Sequence, residues 1–96
     1  MVKHMIVWKL SDEASNDCKQ EIKLALEGLV GKIDGLVEMH ILTNPLECSS
    51  GDLAMDSLFE SRDALDFYQK HPLHVEIANT LVRPNVSVRL SFDYEI

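Results

Sequence analysis

Phe67-Tyr68-Gln69-Lys70-His71-Pro72-Leu73-His74-Val75-Glu76 gathers a phenol, two imidazoles and a carboxylate around one proline. No other stretch of the chain concentrates titratable and hydrogen-bonding groups so closely. Pro72 cannot donate an N–H into a continuing helix, and it drives the residue before it, His71, into extended backbone. One helix therefore stops near Gln69, and a second begins at Pro72, whose fixed φ suits a first helical position. On one straight helix Tyr68 and His74 would point in quite different directions, so only the break at Pro72 lets them converge.

Upstream, Ser61 supplies an N-cap for the helix Arg62–Gln69, with Ala64, Leu65 and Tyr68 as its inner face. Downstream, Val75, Ala78, Leu81 and Val82 form the inward stripe of a helix reaching Val82, and Arg83-Pro84-Asn85 stops it. Residues 86–94 then alternate, with Val86, Val88, Leu90, Phe92 and Tyr94 against Ser87, Arg89, Ser91 and Asp93.

The first half has the same grammar. Residues 3–10 alternate as a strand, with His4, Ile6, Trp8 and Leu10 on one face. Ser11-Asp12-Glu13 opens a helix over residues 15–33, in which Ile22, Leu26, Leu29 and Ile33 recur at helical spacing, and Gly31 and Gly35 mark its end. A strand over 36–43 places Val37, Met39 and Ile41 on one face and Leu36, Glu38, His40 and Leu42 on the other. A loop runs from Asn44 to Gly51. A strand over 52–59 follows, with Leu53, Met55 and Phe59 on one face, and pairs back as a hairpin. The order β-α-β-β-α-β is the ferredoxin-like α+β pattern, a four-stranded antiparallel sheet with both helices on one face. The other face keeps apolar residues, which a second copy stacking sheet on sheet would cover to make a dimeric α+β barrel.

Ninety-six residues fit a single domain spanning 1–96. A chain of this size buries only about 60–65% of its unfolded surface, so its core gains from pairing. The formal net charge of −7 argues against nucleic acid and against an anionic membrane surface, both of which call for clustered Lys and Arg. No apolar run approaches the roughly 18 residues of a membrane span, and Lys9 interrupts the short one at the start, so no signal peptide is read there. Cys18 and Cys48 lack metal or redox spacing and read as free thiols, which predicts a cytoplasmic protein.

The opening Met1–Leu10, the Phe59-Glu60-Ser61 turn, the Tyr68–Val75 core and the closing Phe92-Asp93-Tyr94 resemble the stress-responsive A/B barrel domain, or Dabb, family over essentially the whole chain. The resemblance implies a homodimeric barrel of ferredoxin-like subunits. Most bacterial members have no established activity, and plant members are linked to stress tolerance. One plant branch is a polyketide cyclase whose Tyr and His, matching Tyr68 and His74, carry out an aldol-type ring closure. There the His looks like the general base, and the Tyr orients or polarises the substrate. His4 is matched too. A further histidine of that branch falls at Ala54, which implies a pocket of different shape and lower polarity.

The candidate catalytic residues are accordingly Tyr68 and His74, with His4, Ile6, Trp8 and His71 as the candidate pocket. An imidazole titrating near 6.5 can take a proton at neutral pH, and a phenol can donate to a carbonyl that becomes an enolate. The bland alternatives are a tyrosine anchoring helix to sheet, a histidine bonding a broken turn, a satisfied core histidine at position 4 and a helix-capping His71. A metal site drawn from His71, His74 and Glu76 lacks the spacing of any zinc motif, so none is predicted. No phosphate loop or nucleophile elbow is present, and no cofactor is predicted. Asp56 reads as a solvated or salt-bridged surface group, with Arg89 as its partner. Three roles follow: small-molecule binding of an apolar or aromatic ligand, a cofactor-independent cyclase or lyase, and a purely structural dimer module.

Overall fold

The computed structural model describes residues 1–96. Four strands, β1 (Val2–Leu10), β2 (Leu36–Leu42), β3 (Leu53–Phe59) and β4 (Val86–Glu95), form one antiparallel sheet in the order β2-β3-β1-β4. Helices α1 (Cys18–Glu27), α2 (Arg62–Lys70) and α3 (Pro72–Ile77) pack on one face of it. This is the ferredoxin-like arrangement.

The inner face of the sheet is built by strict alternation. Val2, His4, Ile6 and Trp8 of β1 and Leu53, Met55, Ser57 and Phe59 of β3 are all buried. Ile22, Leu26, Leu29 and Ile33 close over them as the helical spacing requires. Regular helix ends at Glu27 rather than near residue 33, because Gly31 and Gly35 both take φ of 88° and turn the chain instead. At Gly35 the position is doubly constrained: a Cβ there would sit 2.5 Å from the Cβ of Ala64 on α2.

Two assignments need correction. In β2 the register shifts between Leu36 and Glu38, so Leu36 joins Met39 and Ile41 on the buried face and Val37 falls out of phase. In α3 it is Ile77, not Val75, that packs on the core; Val75 is exposed.

The break at Pro72 forms as expected. Ser61 Oγ accepts the Ala64 N–H at 3.1 Å to start α2. His71 ends it in extended backbone (φ −67°, ψ 134°), and its ring nitrogen accepts the Leu73 N–H at 3.1 Å to start α3. Residues Ala78–Val82 then widen into a π-helical turn, followed by a 3₁₀ turn over Arg83–Asn85. Such wide turns recur beside functional sites, and this one borders the cavity described next.

Candidate functional site

The helices pack against β1, β2 and β3 and leave β4 with little cover. In the resulting gap, between the inner face of the sheet and the broken helix, lies a cavity of about 320 Å³. Its polar wall is His4, Tyr68, Gln69, His74, Arg83 and Arg89; its apolar wall includes Ile6, Trp8, Leu26, Met55 and Val82.

A ladder of rings crosses from sheet to helix. His4 meets Phe59 edge-on at 6.2 Å, Phe59 meets Tyr68 at 5.0 Å, and Tyr68 meets His74 at 4.2 Å with the planes tilted by 35°. The chain turn at Pro72 thus brings Tyr68 and His74 into contact as a near-stacked pair. His4 is buried and satisfied: its Nδ1 hydrogen-bonds the Asp93 carboxylate directly across the β1–β4 pair. Its backbone carbonyl accepts the Ser57 hydroxyl at 2.7 Å.

The Tyr68 hydroxyl is different. It is shut off from solvent and has no hydrogen-bond partner. Burial pushes its pKa upward, against a weaker downward pull from the Arg89 charge, so the phenol stays protonated and able to donate. His74 is half-buried, with Nδ1 3.3 Å from the Gln69 carbonyl. A carbonyl only accepts, so this contact assigns the proton to Nδ1 and leaves Nε2 with its lone pair. Burial lowers the His74 pKa; the Gln69 bond opposes that, and the nearby His4, Arg89 and Arg83 reinforce it. The ring is therefore neutral at neutral pH, the state a general base needs.

Of the sequence-derived residues, His4, Ile6, Trp8, Tyr68 and His74 line one cavity. His71 does not: it caps α3 and stacks edge-on with the exposed Phe67 at 5.4 Å. Asp56 pairs with Lys3 at 2.5 Å rather than with Arg89, because Asp56 lies on the outer face of the sheet and Arg89, opposite Trp8, on the inner one. Ala54, opposite Val7, also faces outward, so a histidine there would not alter this cavity. His71, His74 and Glu76 do not converge on a metal position.

Arg89, Arg83 and Gln69 are wall residues that the sequence reading did not assign to the site. The alternation of β4 carried the signal for Arg89, since its partner face across the sheet is that of His4, Ile6 and Trp8. A larger depression, about 490 Å³, lies on the outer face beside Val7, Leu42 and residues 49–54. It holds little chemistry: its one ionisable group, Asp52, already accepts the Leu10 N–H at 2.8 Å.

The uncovered edge strand and the broken helix enclose a ring-lined cavity, and the class these features define is the ferredoxin-like α+β domain. The chain belongs to the stress responsive A/B barrel domain (Dabb) family, whose profile matches residues 2–96. It is similar to a dimeric ferredoxin-like protein of unknown function from Bacteroides fragilis NCTC 9343, at 29% identity and TM-score 0.84, over 99% of this chain and 95% of that one. An Arabidopsis thaliana protein matches at 26% identity and TM-score 0.85, over 100% of this chain and 95% of that one. A hydroxynitrile lyase from Passiflora edulis shares the fold at TM-score 0.83 over 99% and 92% of the two chains, but at 17% identity that likeness concerns the fold alone. No curated protein matches the chain. No helix is long and apolar enough to cross a membrane.

Proposed function

We propose that this protein works as a homodimer that binds a small apolar or aromatic molecule in the cavity beneath Tyr68 and His74. The observation that carries the reading is the Tyr68 hydroxyl, buried without a partner on the wall of an open cavity. Leaving such a group unpaired costs about 1–3 kcal/mol, a large share for a small domain. A ligand oxygen that reaches the hydroxyl, once the side chains closing over it shift aside, accepts its hydrogen bond and removes that cost. The volume, about 320 Å³, falls at the lower end of small-molecule sites. The dimer is supported by the exposed apolar residues Val88, Leu90, Phe92 and Tyr94 on the outer face and by the dimeric Bacteroides fragilis relative. The free thiols Cys18 and Cys48 fit a reducing, cytoplasmic compartment.

The test is ¹H–¹⁵N NMR of the full chain against small aromatic and β-keto acids. Saturable shifts centred on His4, Tyr68 and His74, lost in Tyr68→Phe or His74→Ala, are expected. If no compound shifts these signals, the purely structural module replaces this reading.

A second reading, a cofactor-independent cyclase or lyase, is favoured by one feature: His74 is neutral with Nε2 free beside a donating phenol. In it, Nε2 removes a proton from a methylene between two carbonyls, and Tyr68 hydrogen-bonds the enolate oxygen. The carbanion carbon attacks a second carbonyl of the same molecule, and the imidazolium returns the proton to the new alkoxide. Ring closure of a linear poly-β-ketone, followed by absorbance and abolished in His74→Ala, distinguishes catalysis from binding.

A further inference from the structure

We propose that the occupant of this cavity is a small organic monocarboxylate with an apolar body, its carboxylate held by the guanidinium of Arg89 with Arg83 beside it. The inference rests on the reading of the cavity as a ligand site and adds the chemical class of the ligand.

The charge distribution motivates it. The chain carries 16 acidic and 9 basic side chains, yet no Asp or Glu lines the cavity, and two of its three arginines do. The third arginine, Arg62, is paired with Glu95 at 2.6 Å. Arg89 makes no ion pair and no side-chain hydrogen bond. Of the two acidic groups sharing its face of β4, Asp93 is already bonded to His4 and Glu95 to Arg62. Arg83 is half committed, donating from Nη1 to Asn79 Oδ1 at 2.8 Å. An acidic protein thus presents an unpaired guanidinium at the cavity that holds Tyr68 and His74.

Position supplies the orientation. Arg83 and Arg89 are exposed, whereas His4 and Tyr68 are buried. The cations therefore form the rim and the rings the floor. A ligand anchored at the rim by its carboxylate lays its body on Ile6, Leu26, Met55 and Val82 and brings an oxygen or an aromatic face to Tyr68. Arg89 lies close enough to Tyr68 and His74 for its charge to bear on both. The planar fork of a guanidinium matches a carboxylate in two parallel hydrogen bonds. A phosphate is the poorer fit, because no glycine-rich loop of backbone N–H groups stands ready to cradle it.

The test is isothermal titration of the full chain with phenylacetate, benzoate and hexanoate, each against its methyl ester, at pH 8. The acids should bind at least tenfold more tightly than their esters. Arg89→Gln should erase that difference, Arg89→Lys should restore part of it, and Arg83→Gln should reduce it less. Arg89 is exposed, so the fold should survive substitution, as a thermal melt will verify. Esters binding as well as acids would overturn the inference while leaving the cavity reading intact. An equal loss in Arg62→Gln would also overturn it, since that guanidinium is not part of the cavity wall. Binding of neither acids nor esters would remove the cavity reading, and the inference with it.

Discussion

At the β2 edge of the sheet, side chains of α1 occupy the backbone groups that a further strand would use; at the β4 edge nothing does. Glu27 accepts the Ile41 N–H at 2.9 Å, Lys23 donates to the Ile41 carbonyl at 3.0 Å, and Lys19 donates to the Thr43 carbonyl at 3.2 Å. A free strand edge invites unwanted pairing, and charged side chains turned onto it are one defence. β4 has a polar inner face that forms part of the cavity wall and an apolar outer face, with every residue after Val86 exposed. The contrast teaches where this molecule is finished and where it is not: one edge is sealed within the chain, and the other is uncovered on both faces, where the proposed ligand and the proposed second subunit would sit.

The largest effect should come from breaking the outer side of β4. Leu90 and Phe92 are 66% and 70% exposed in the single subunit. Burying each in a dimer contributes about 1.5–3 kcal/mol. Leu90→Glu with Phe92→Glu should therefore weaken association by well over a hundredfold, giving a monomer at micromolar concentration by light scattering where the unmodified chain should be a dimer. A variant that stays dimeric would move the partner to another face and undo the contrast between the edges.

Next comes the sealed edge. Burial alone would raise the Glu27 pKa, but the Ile41 N–H and Lys23 outweigh it and hold the carboxyl below its ordinary value of 4.5. A depressed carboxylate contributes stability that is present above the unfolded value and is lost as pH falls through the folded one. Glu27→Gln should cost about 1 kcal/mol at pH 7, discounted for the partial exposure of the pair. The gap between the two proteins in urea midpoint should close as pH drops below 4.5. A constant gap would mean that the carboxylate charge contributes nothing at this edge.

How much of this the sequence disclosed follows from the range of the forces involved. The alternation of β1, the Ser61 cap and the break at Pro72 are set by neighbours a few residues apart, and all three were legible. The meeting of Tyr68 with His74 was left open: the break at Pro72 permitted it, and the packing of the two helices brings the rings to 4.2 Å. The shift in β2 was not legible, because a bulge at Leu36/Glu38 is fixed by the partner strand. Arg89 was paired with the wrong residue for a related reason: without the register, nothing says that Asp56 and Arg89 lie on opposite faces. Ala54 was assigned to the pocket by resemblance and sits on the outer face through the same kind of register effect.

Tyr68 sharpens the comparison from the open side, because its two expected effects have opposite signs. Removing the unpartnered hydroxyl in Tyr68→Phe should leave stability unchanged or raise it by up to about 1 kcal/mol, since an unsatisfied buried group disappears and the ring packing stays. Ligand affinity should fall roughly tenfold for the same reason. A stability loss of similar size instead, seen by denaturant unfolding, would show that the hydroxyl already has a partner in the folded protein.

The smallest effect is the titration of His74. Its pKa is lowered first by burial and then by His4, Arg89 and Arg83, against the Gln69 carbonyl. The unfolded chain thus binds the proton more readily than the fold does, and stability contributed by the neutral ring is full above about 6.5 and declines as pH falls through the lower folded value. His74→Gln should flatten that decline in the urea midpoint between pH 7 and 5. The imidazole Hε1 resonance of His74 should titrate below 6.5, and Arg89→Gln should move its midpoint upward by removing one of the repelling charges. No movement in Arg89→Gln would mean that the charge at the rim is screened from the floor of the cavity. The proposed anchoring guanidinium at the rim and the Tyr68–His74 pair at the floor would then work independently.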